Sequence, residues 1–133
     1  MLREILDVLQ DDPSSQRRWF HDDYFDLFVR QTAGELAAFE LCYGIHSSER
    51  ALVWSAGRGY FHDGDPLEAD PIIGRFERAS YGLPEVLRLA LGARLREYIV
   101  RKAEVPARRT RFRRAAWQRT GGEQNPKDQS RIS

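Results

Sequence analysis

Residues 24–43 read Tyr-Phe-Asp-Leu-Phe-Val-Arg-Gln-Thr-Ala-Gly-Glu-Leu-Ala-Ala-Phe-Glu-Leu-Cys-Tyr, and this stretch decides the predicted fold. Its two halves, residues 24–32 and 36–43, alternate apolar and polar side chains, which is typical of β-strands with one buried face. Between them, Gly34 can adopt the positive φ that a tight turn needs. Because so short a connection cannot make a parallel crossover, the two strands must be antiparallel.

Shorter strand signals flank this hairpin on both sides. Residues 17–20 predict a first strand and residues 50–55 predict a further one, each joined to the hairpin by a few turn-forming residues. Gly57 and Gly59 then weaken or bulge the chain before the aromatic pair at 60–61. The sequence therefore predicts a small antiparallel meander of three or four strands.

Helices are predicted on either side of this sheet. Four apolar residues recur at helical spacing near the N-terminus, namely Leu2, Ile5, Leu6 and Leu9. They indicate a short N-terminal helix. Residues 84–100 predict a long helix, because Pro84 suits its first turn and a broad apolar face follows. Residues 72–83 give no clear assignment. The predicted fold class is α+β, with the long helix packed on one face of the meander.

The charge of the chain changes sign near residue 100. Residues 1–100 hold 11 Lys/Arg against 17 Asp/Glu, a net of −6, whereas residues 101–133 hold 10 against 3, a net of +7. We therefore predict one α+β domain over residues 1–104 and a basic tail over residues 105–133. Because residues 121–133 contain one apolar residue, Ile132, the tail is expected to be disordered.

Composition limits where the protein works. Cys42 is the only cysteine, so no intramolecular disulfide can form. No run of about 18 apolar residues is present, which argues against a transmembrane segment. Charges interrupt the apolar pattern of the first residues, and this argues against a signal peptide. We expect a cytoplasmic protein, and we predict no cofactor.

A resemblance supports the predicted strands. The run Trp19-Phe20-His21-Asp22-Asp23-Tyr24-Phe25-Asp26-Leu27-Phe28-Val29 resembles a segment of a small family of uncharacterised bacterial proteins. Residues 39–43, residues 49–54 and His62 are similar to further segments of that family. The resemblance covers about residues 17–100 and not the basic tail. It implies a compact single domain with strands in these places, and it implies no activity and no site residue.

Two segments combine a histidine with acidic residues, His21-Asp22-Asp23 and His62-Asp63-Gly64-Asp65. If both lie at the same end of the sheet, His21, Asp23, His62, Asp63 and Asp65 could bind a divalent metal such as Zn²⁺, Mn²⁺ or Fe²⁺. A bound metal could activate water, so a small metal-dependent enzyme is one alternative function. The other interpretation is that these acids form turns by bonding their own backbone.

A second candidate site combines arginines with aromatic residues of the strand region. The arginines are Arg17, Arg18, Arg30, Arg50 and Arg58, and the aromatic residues are Tyr24, Trp54 and Tyr60. Together they could line a groove that holds a planar anion or a stacked base. Alternatively, the arginines could form cross-strand ion pairs with Asp26 or Glu40 on a solvated face of the sheet.

The third candidate site is the basic tail, where residues 108–119 contain six arginines, two aromatic residues and no acid. Its residues are Arg108, Arg109, Arg111, Phe112, Arg113, Arg114, Trp117 and Arg119. Such a segment can release counterions from a polyanion and stack on bases. The alternatives are a solvated tail, contact with an anionic membrane surface, and docking on the protein's own acidic body.

These features favour a non-enzymatic binding module. Its basic aromatic tail would contact an anionic partner, either nucleic acid or an acidic protein surface. A self-associating subunit is a further alternative, because Tyr24, Phe28 and Trp54 could form an apolar patch on the face away from the helix and pair two copies through the sheet. No catalytic residue is predicted from the sequence.

Overall fold

The computed structural model describes residues 1–46 and 48–104. Within them, one antiparallel sheet contains six strands in chain order. The strands are β1 (Arg3–Ile5), β2 (Ser15–His21), β3 (Phe25–Thr32), β4 (Glu35–Tyr43), β5 (Arg50–Ser55) and β6 (Gly59–His62). Two helices follow, α1 (Ala69–Ala79) and α2 (Glu85–Arg101), with 3-10 turns at Pro66–Glu68, Ser80–Gly82 and Lys102–Glu104. The predicted α+β class with an antiparallel meander is confirmed.

The β3–β4 hairpin forms as the sequence predicts. Phe25 pairs with Tyr43, and the register continues along both strands to a shift between Arg30 and Gln31. Gly34 takes a φ of 81° in the turn. This hairpin is the centre of the sheet, so its two faces set the faces of the whole molecule.

The sheet has six strands, so the predicted number of three or four is wrong. The glycines at 57 and 59 have φ values of 83° and 85°, and they form the turn that leads into β6. Glycine adopts positive φ at no steric cost, so these two residues form a tight turn. From the sequence they indicate only a weakened or bulged strand.

The predicted N-terminal helix is also wrong, because residues 3–5 form β1 along the edge of the sheet. Arg3 pairs with His21 of β2, and the Leu2 amide donates to the carbonyl of Ala79 at 3.1 Å. Leu2 is 1% exposed, whereas Leu6 is 69% exposed. A helix this short is marginal alone, and pairing with β2 supplies backbone hydrogen bonds together with burial of Leu2.

Residues 69–82, most of which had no assignment, form α1 and a 3-10 turn. Pro71 lies in the first turn of α1, where proline costs no intrahelical hydrogen bond, and Ile73 and Phe76 are buried. The predicted long helix is confirmed as α2, which buries four residues of one face: Leu87, Leu91, Leu95 and Tyr98.

The two faces of the sheet carry separate apolar clusters. Both helices pack on what we call the helix face, whose buried side chains include Phe25, Leu27, Val29, Phe39, Leu41, Leu52 and Trp54. The opposite face, which we call the second face, carries Phe28, Cys42, Ala51, Val53 and Phe61. Asp26 and Glu40 share the second face by register, since Asp26 pairs with Cys42 and Glu40 pairs with Phe28 and Val53.

In the part of the chain that the structure describes, no helix is long and apolar enough to cross a membrane. The predicted basic, disordered tail over residues 105–133 lies outside the described residues, as do all eight residues of its candidate site.

Candidate functional site

An open cavity of about 710 Å³ lies where α1 passes over one end of the sheet. The sheet side contributes Tyr24, which directly precedes β3, Tyr43 at the end of β4 and Arg50 at the start of β5. The helix side contributes Glu68, Pro71, Ile72, Arg75 and Arg78. Its walls therefore carry three arginines and one acid, and we call it the arginine cavity.

Helix geometry places two of these arginines together. Arg75 and Arg78 are three residues apart on α1, so they project from the same side of the helix. The guanidinium carbon of Arg75 lies 3.6 Å from the centre of the Tyr24 ring. Tyr24 in turn meets Phe25 edge to face, with ring centres 4.8 Å apart. This aromatic support holds one cation at the cavity wall.

A buried hydrogen-bond chain begins at the cavity-lining Tyr43. Its hydroxyl lies 2.6 Å from Nε2 of His62, and Nδ1 of His62 lies 2.8 Å from the Tyr98 hydroxyl. Burial lowers the pKa of His62 below its ordinary value, against the opposing charges of Asp63 and Asp65. Burial also raises the pKa of Tyr43 and raises the pKa of Tyr98 to about 12. All three groups are therefore neutral near pH 7.

Counting the protons on Tyr98, His62 and Tyr43 shows which group donates in each hydrogen bond of this chain. Tyr98 is fully buried, and leaving its O–H without an acceptor would cost about 1–3 kcal/mol. Tyr98 therefore donates to Nδ1 of His62. The imidazole proton then sits on Nε2 and is donated to the Tyr43 oxygen. The hydroxyl proton of Tyr43 remains as a donor for a further acceptor.

The Asp63-Gly64-Asp65 segment has structural roles around this chain. The Asp63 carboxylate accepts from the Ala51 amide at 2.8 Å, and the Asp65 carboxylate accepts from the Leu67 amide at 2.9 Å at the start of a 3-10 turn. A Cβ at Gly64 would collide with the Tyr43 hydroxyl and would lie 2.9 Å from Nε2 of His62. The Asp65 bond, to an amide two residues further on, is that of a turn-forming acid, whereas the Asp63 bond joins the loop to β5.

The structure does not bring the two predicted metal-binding histidines together. His21 lies on the second face, where Nδ1 is 2.8 Å from Asp26, and His62 lies on the helix face beside Tyr43 and Tyr98. Asp23 lines a separate surface depression with His21 and His46. Among the described residues, no group of three or more His, Cys, Asp or Glu side chains is placed to hold a metal ion.

The arginine and aromatic candidates are divided among several places. Arg17 and Arg30 both contact Asp11, at 2.7 and 3.3 Å, and Arg18 contacts Glu4 at 2.8 Å. Trp54 and Tyr60 lie on the helix face near α2. Of the predicted groove, Tyr24 and Arg50 meet at the arginine cavity.

Sequence reasoning missed Arg75 and Arg78, because residues 72–83 were not assigned to an element. Their spacing of three residues in a segment with apolar Ile72, Ile73 and Phe76 is typical of an amphipathic helix, and that signal could have found them.

Comparisons with known proteins identify no relative. No family model matches the chain, and no curated protein or solved structure shows significant similarity to it. The function therefore has to be argued from the geometry of the chain itself.

Proposed function

We propose that the protein is a non-enzymatic binding module for an anionic, nucleotide-like ligand that occupies the arginine cavity. The observation that carries the proposal is the set of three exposed arginines around one cavity, Arg50, Arg75 and Arg78. Within the described residues, the arginines of β2 and β3 pair with acids, namely Arg17 and Arg30 with Asp11 and Arg18 with Glu4. The three cavity arginines form no ion pair there. Their positive charge is available to a ligand.

The shape and chemistry of the cavity favour a ligand that has both a phosphate and a ring. Guanidinium groups bind phosphate oxygens through two parallel hydrogen bonds. The Arg75 guanidinium carbon lies 3.6 Å from the centre of the Tyr24 ring, and guanidinium groups stack on aromatic rings, including the ring of a bound base. A volume of about 710 Å³ is within the range of small-molecule sites.

The groups next to the cavity support binding more than catalysis. A general base needs a pKa near the working pH and a free position from which to accept a proton. Both ring nitrogens of His62 are engaged by tyrosines, and burial raises the pKa of Tyr43. This arrangement favours the binding module over the alternative of an enzyme.

The basic segment 108–119 is a second candidate for contact with an anionic partner. Its charge and its interleaved Phe112 and Trp117 favour single-stranded nucleic acid. This proposal rests on sequence alone, so the experiment must separate it from binding at the cavity.

The affinity of the full chain for AMP, measured by calorimetry at low salt, tests the cavity. We expect AMP to bind more tightly than inorganic phosphate, since only AMP has a ring. The variant Arg75→Gln should weaken AMP binding by roughly tenfold or more, because a hydrogen bond to a charged group contributes about 1.5–3 kcal/mol. The matched control is Arg88→Gln. Arg88 stacks on Tyr81 outside the cavity, at 4.8 Å from the ring centre, and its loss should leave the affinity unchanged.

Equal affinity of Arg75→Gln and the unaltered chain for AMP would contradict binding at the arginine cavity. A triple variant with Arg111, Arg113 and Arg114 each replaced by Gln then separates the two candidates. If it alone abolishes AMP binding, the basic segment and not the cavity is the binding site.

A further inference from the structure

The outer side of α2 carries exposed apolar side chains, in addition to the four residues that the helix buries on its inner side. Val86 is 76% exposed, Leu89 is 54% exposed and Val100 is 83% exposed. Ala93 lies between them in the sequence and is also exposed. Because a helix of a globular domain is typically polar on its outer side, α2 has a second apolar surface to bury.

These four residues form one stripe along the helix. Their successive spacings of three, four and seven residues are those of the a and d positions of a heptad repeat. At 3.6 residues per turn, all four side chains project within about 40° of the direction of Ala93. We call this stripe the outer ridge of α2, and it consists of Val86, Leu89, Ala93 and Val100.

The outer ridge runs between two grooves. A cavity of about 340 Å³ lies on one side, with Ala90 and Arg94 of α2 facing Gly34 and Leu36 of the β3–β4 hairpin. A depression of about 200 Å³ lies on the other side, between Gly92 and α1. Helices pack by placing the ridge of one in the groove of the next. The relief of this surface therefore suits a second helix.

The charged residues beside the outer ridge are directed away from it. The Glu97 carboxylate accepts hydrogen bonds from the Tyr60 hydroxyl at 2.6 Å and from Arg94 at 2.9 Å, which hold it toward the sheet. A guanidinium nitrogen of Arg96 lies 3.3 Å from the place that a Cβ on Gly92 would take, on the side toward α1. The apolar ridge is therefore open to contact.

The outer ridge matches a second copy of itself in antiparallel orientation. Ala93 is the middle residue of α2, which begins at Glu85 and ends at Arg101. Val86 and Val100 lie seven residues to either side of this middle, so each faces the other when two copies pack antiparallel. Opposite charges, Glu85 and Arg101, then lie at the same end of the pair, and the helix dipoles oppose each other. A parallel pair would bring like charges together at both ends.

This surface differs from the patch that the sequence predicts for self-association. Phe28 and Trp54 lie on opposite faces of the sheet and are 1% and 6% exposed, so they share no surface with Tyr24. The outer ridge carries the exposed apolar residues that such a patch requires.

We propose that the outer ridge of α2 is the interface of a homodimer, in which two copies of the helix pack antiparallel with Ala93 at the two-fold axis. The same surface is then used by both copies, as a two-fold interface requires. A pair of helices of this length covers less than the roughly 800 Å² per partner of a standard interface, so association is weak and depends on concentration. The proposal is independent of the arginine cavity, which α2 does not line.

Analytical ultracentrifugation of the full chain over a range of concentrations tests the association. We expect the average mass to rise from that of one chain toward that of two. Ala93→Glu puts two like charges at the two-fold axis and should weaken association by roughly tenfold or more. Glutamate is a good helix former, so the exposed substitution should leave the fold intact. The matched control is Leu67→Glu, which replaces an 82% exposed residue outside α2 and should change nothing.

Two results of this measurement contradict the proposal. The first is the mass of a single chain at every concentration up to about 1 mM, the limit of weak association. The second is equal weakening by both substitutions, because the association would then not use the outer ridge.

Disulfide cross-linking tests the orientation of the two copies. The native Cys42 is 1% exposed and should stay unreactive. Under mild oxidation, Ala93→Cys should form a covalent dimer rapidly, because the two-fold axis brings both copies of residue 93 together. Val86→Cys and Val100→Cys should each react slowly alone and rapidly when mixed, since the antiparallel pair places residue 86 against residue 100.

The control for random collision is Ser48→Cys, whose side chain is exposed at the arginine cavity. If Ala93→Cys forms dimers no faster than Ser48→Cys, the proposed interface is wrong. If Val86→Cys instead reacts rapidly with itself, the two helices are parallel, and the antiparallel dimer is refuted.

Discussion

Gly64 is the residue on which the packing of the buried hydrogen-bond chain depends most directly. A Cβ at this position would collide with the Tyr43 hydroxyl and approach His62. We expect Gly64→Ala to lower the free energy of unfolding by about 1–3 kcal/mol, as overpacking typically does. Urea denaturation followed by circular dichroism measures this change.

The matched control for that substitution is Gly74→Ala. Gly74 lies inside α1, and a Cβ there would meet nothing within 4 Å. Alanine is the better helix former by about 1 kcal/mol, so this variant should be more stable than the original chain. Equal effects of the two substitutions would mean that the close packing at Gly64 is not real.

The pH dependence of stability reports on His62. Its pKa in the folded protein is lowered by burial, so the unfolded chain binds the proton more readily. The stabilisation from the neutral, hydrogen-bonded imidazole is therefore complete above the unfolded pKa of about 6.5 and is lost as the pH falls below it. One proton gives a slope of at most about 1.4 kcal/mol per pH unit.

Unfolding free energies measured from pH 8 to pH 5 check this expectation. His62→Gln should lower stability at pH 8 and remove this part of the slope. His46→Gln removes an exposed imidazole that is not part of the buried hydrogen-bond chain, so this variant should keep the slope. A slope that is unchanged in His62→Gln would show that other groups cause the pH dependence.

At the scale of elements, the burial of Leu2 and Leu6 distinguishes a strand from a helix in the N-terminal segment. A helical stripe would bury Leu2 and Leu6 together, whereas in the structure Leu2 is buried and Leu6 is 69% exposed. We expect Leu2→Ala to cost about 2–4 kcal/mol of stability and Leu6→Ala less than about 0.5 kcal/mol. Thermal melts of both variants measure the difference, and similar losses would favour the helix.

The elements also show what the sequence could predict. The β3–β4 hairpin and α2 were predictable, because a strict period and a suitable turn or start residue agree locally. The β1 strand was not, because its structure depends on pairing with β2 and on the contact of Leu2 with the turn after α1, where Gly82 leaves room for the Leu2 carbonyl. Pro71 concealed α1, since proline indicates a loop as readily as a first helical turn.

At the scale of the whole molecule, the candidate site was only half predictable. Tyr24 and Arg50 were recognised as a possible anion site, but α1 brings Arg75 and Arg78 to them from a segment without an assigned structure. Pairing of His21 with His62 could not be judged from sequence, because it depends on which face of the sheet each residue takes. The register of six strands decides that question.

The two faces of the sheet give the molecule two distinct surfaces for charge. Positive arginines surround the cavity on the helix face, and buried acids occupy the second face. The first arrangement is suited to an anionic ligand from outside.

The most direct test of the central claim is a map of backbone amide shifts in the full chain during titration with AMP. We predict that the shifted amides are those around the arginine cavity, from residues 24 and 43–50 and from residues 68–78. Shifts confined to residues 108–119, with the cavity amides unmoved, would contradict the account.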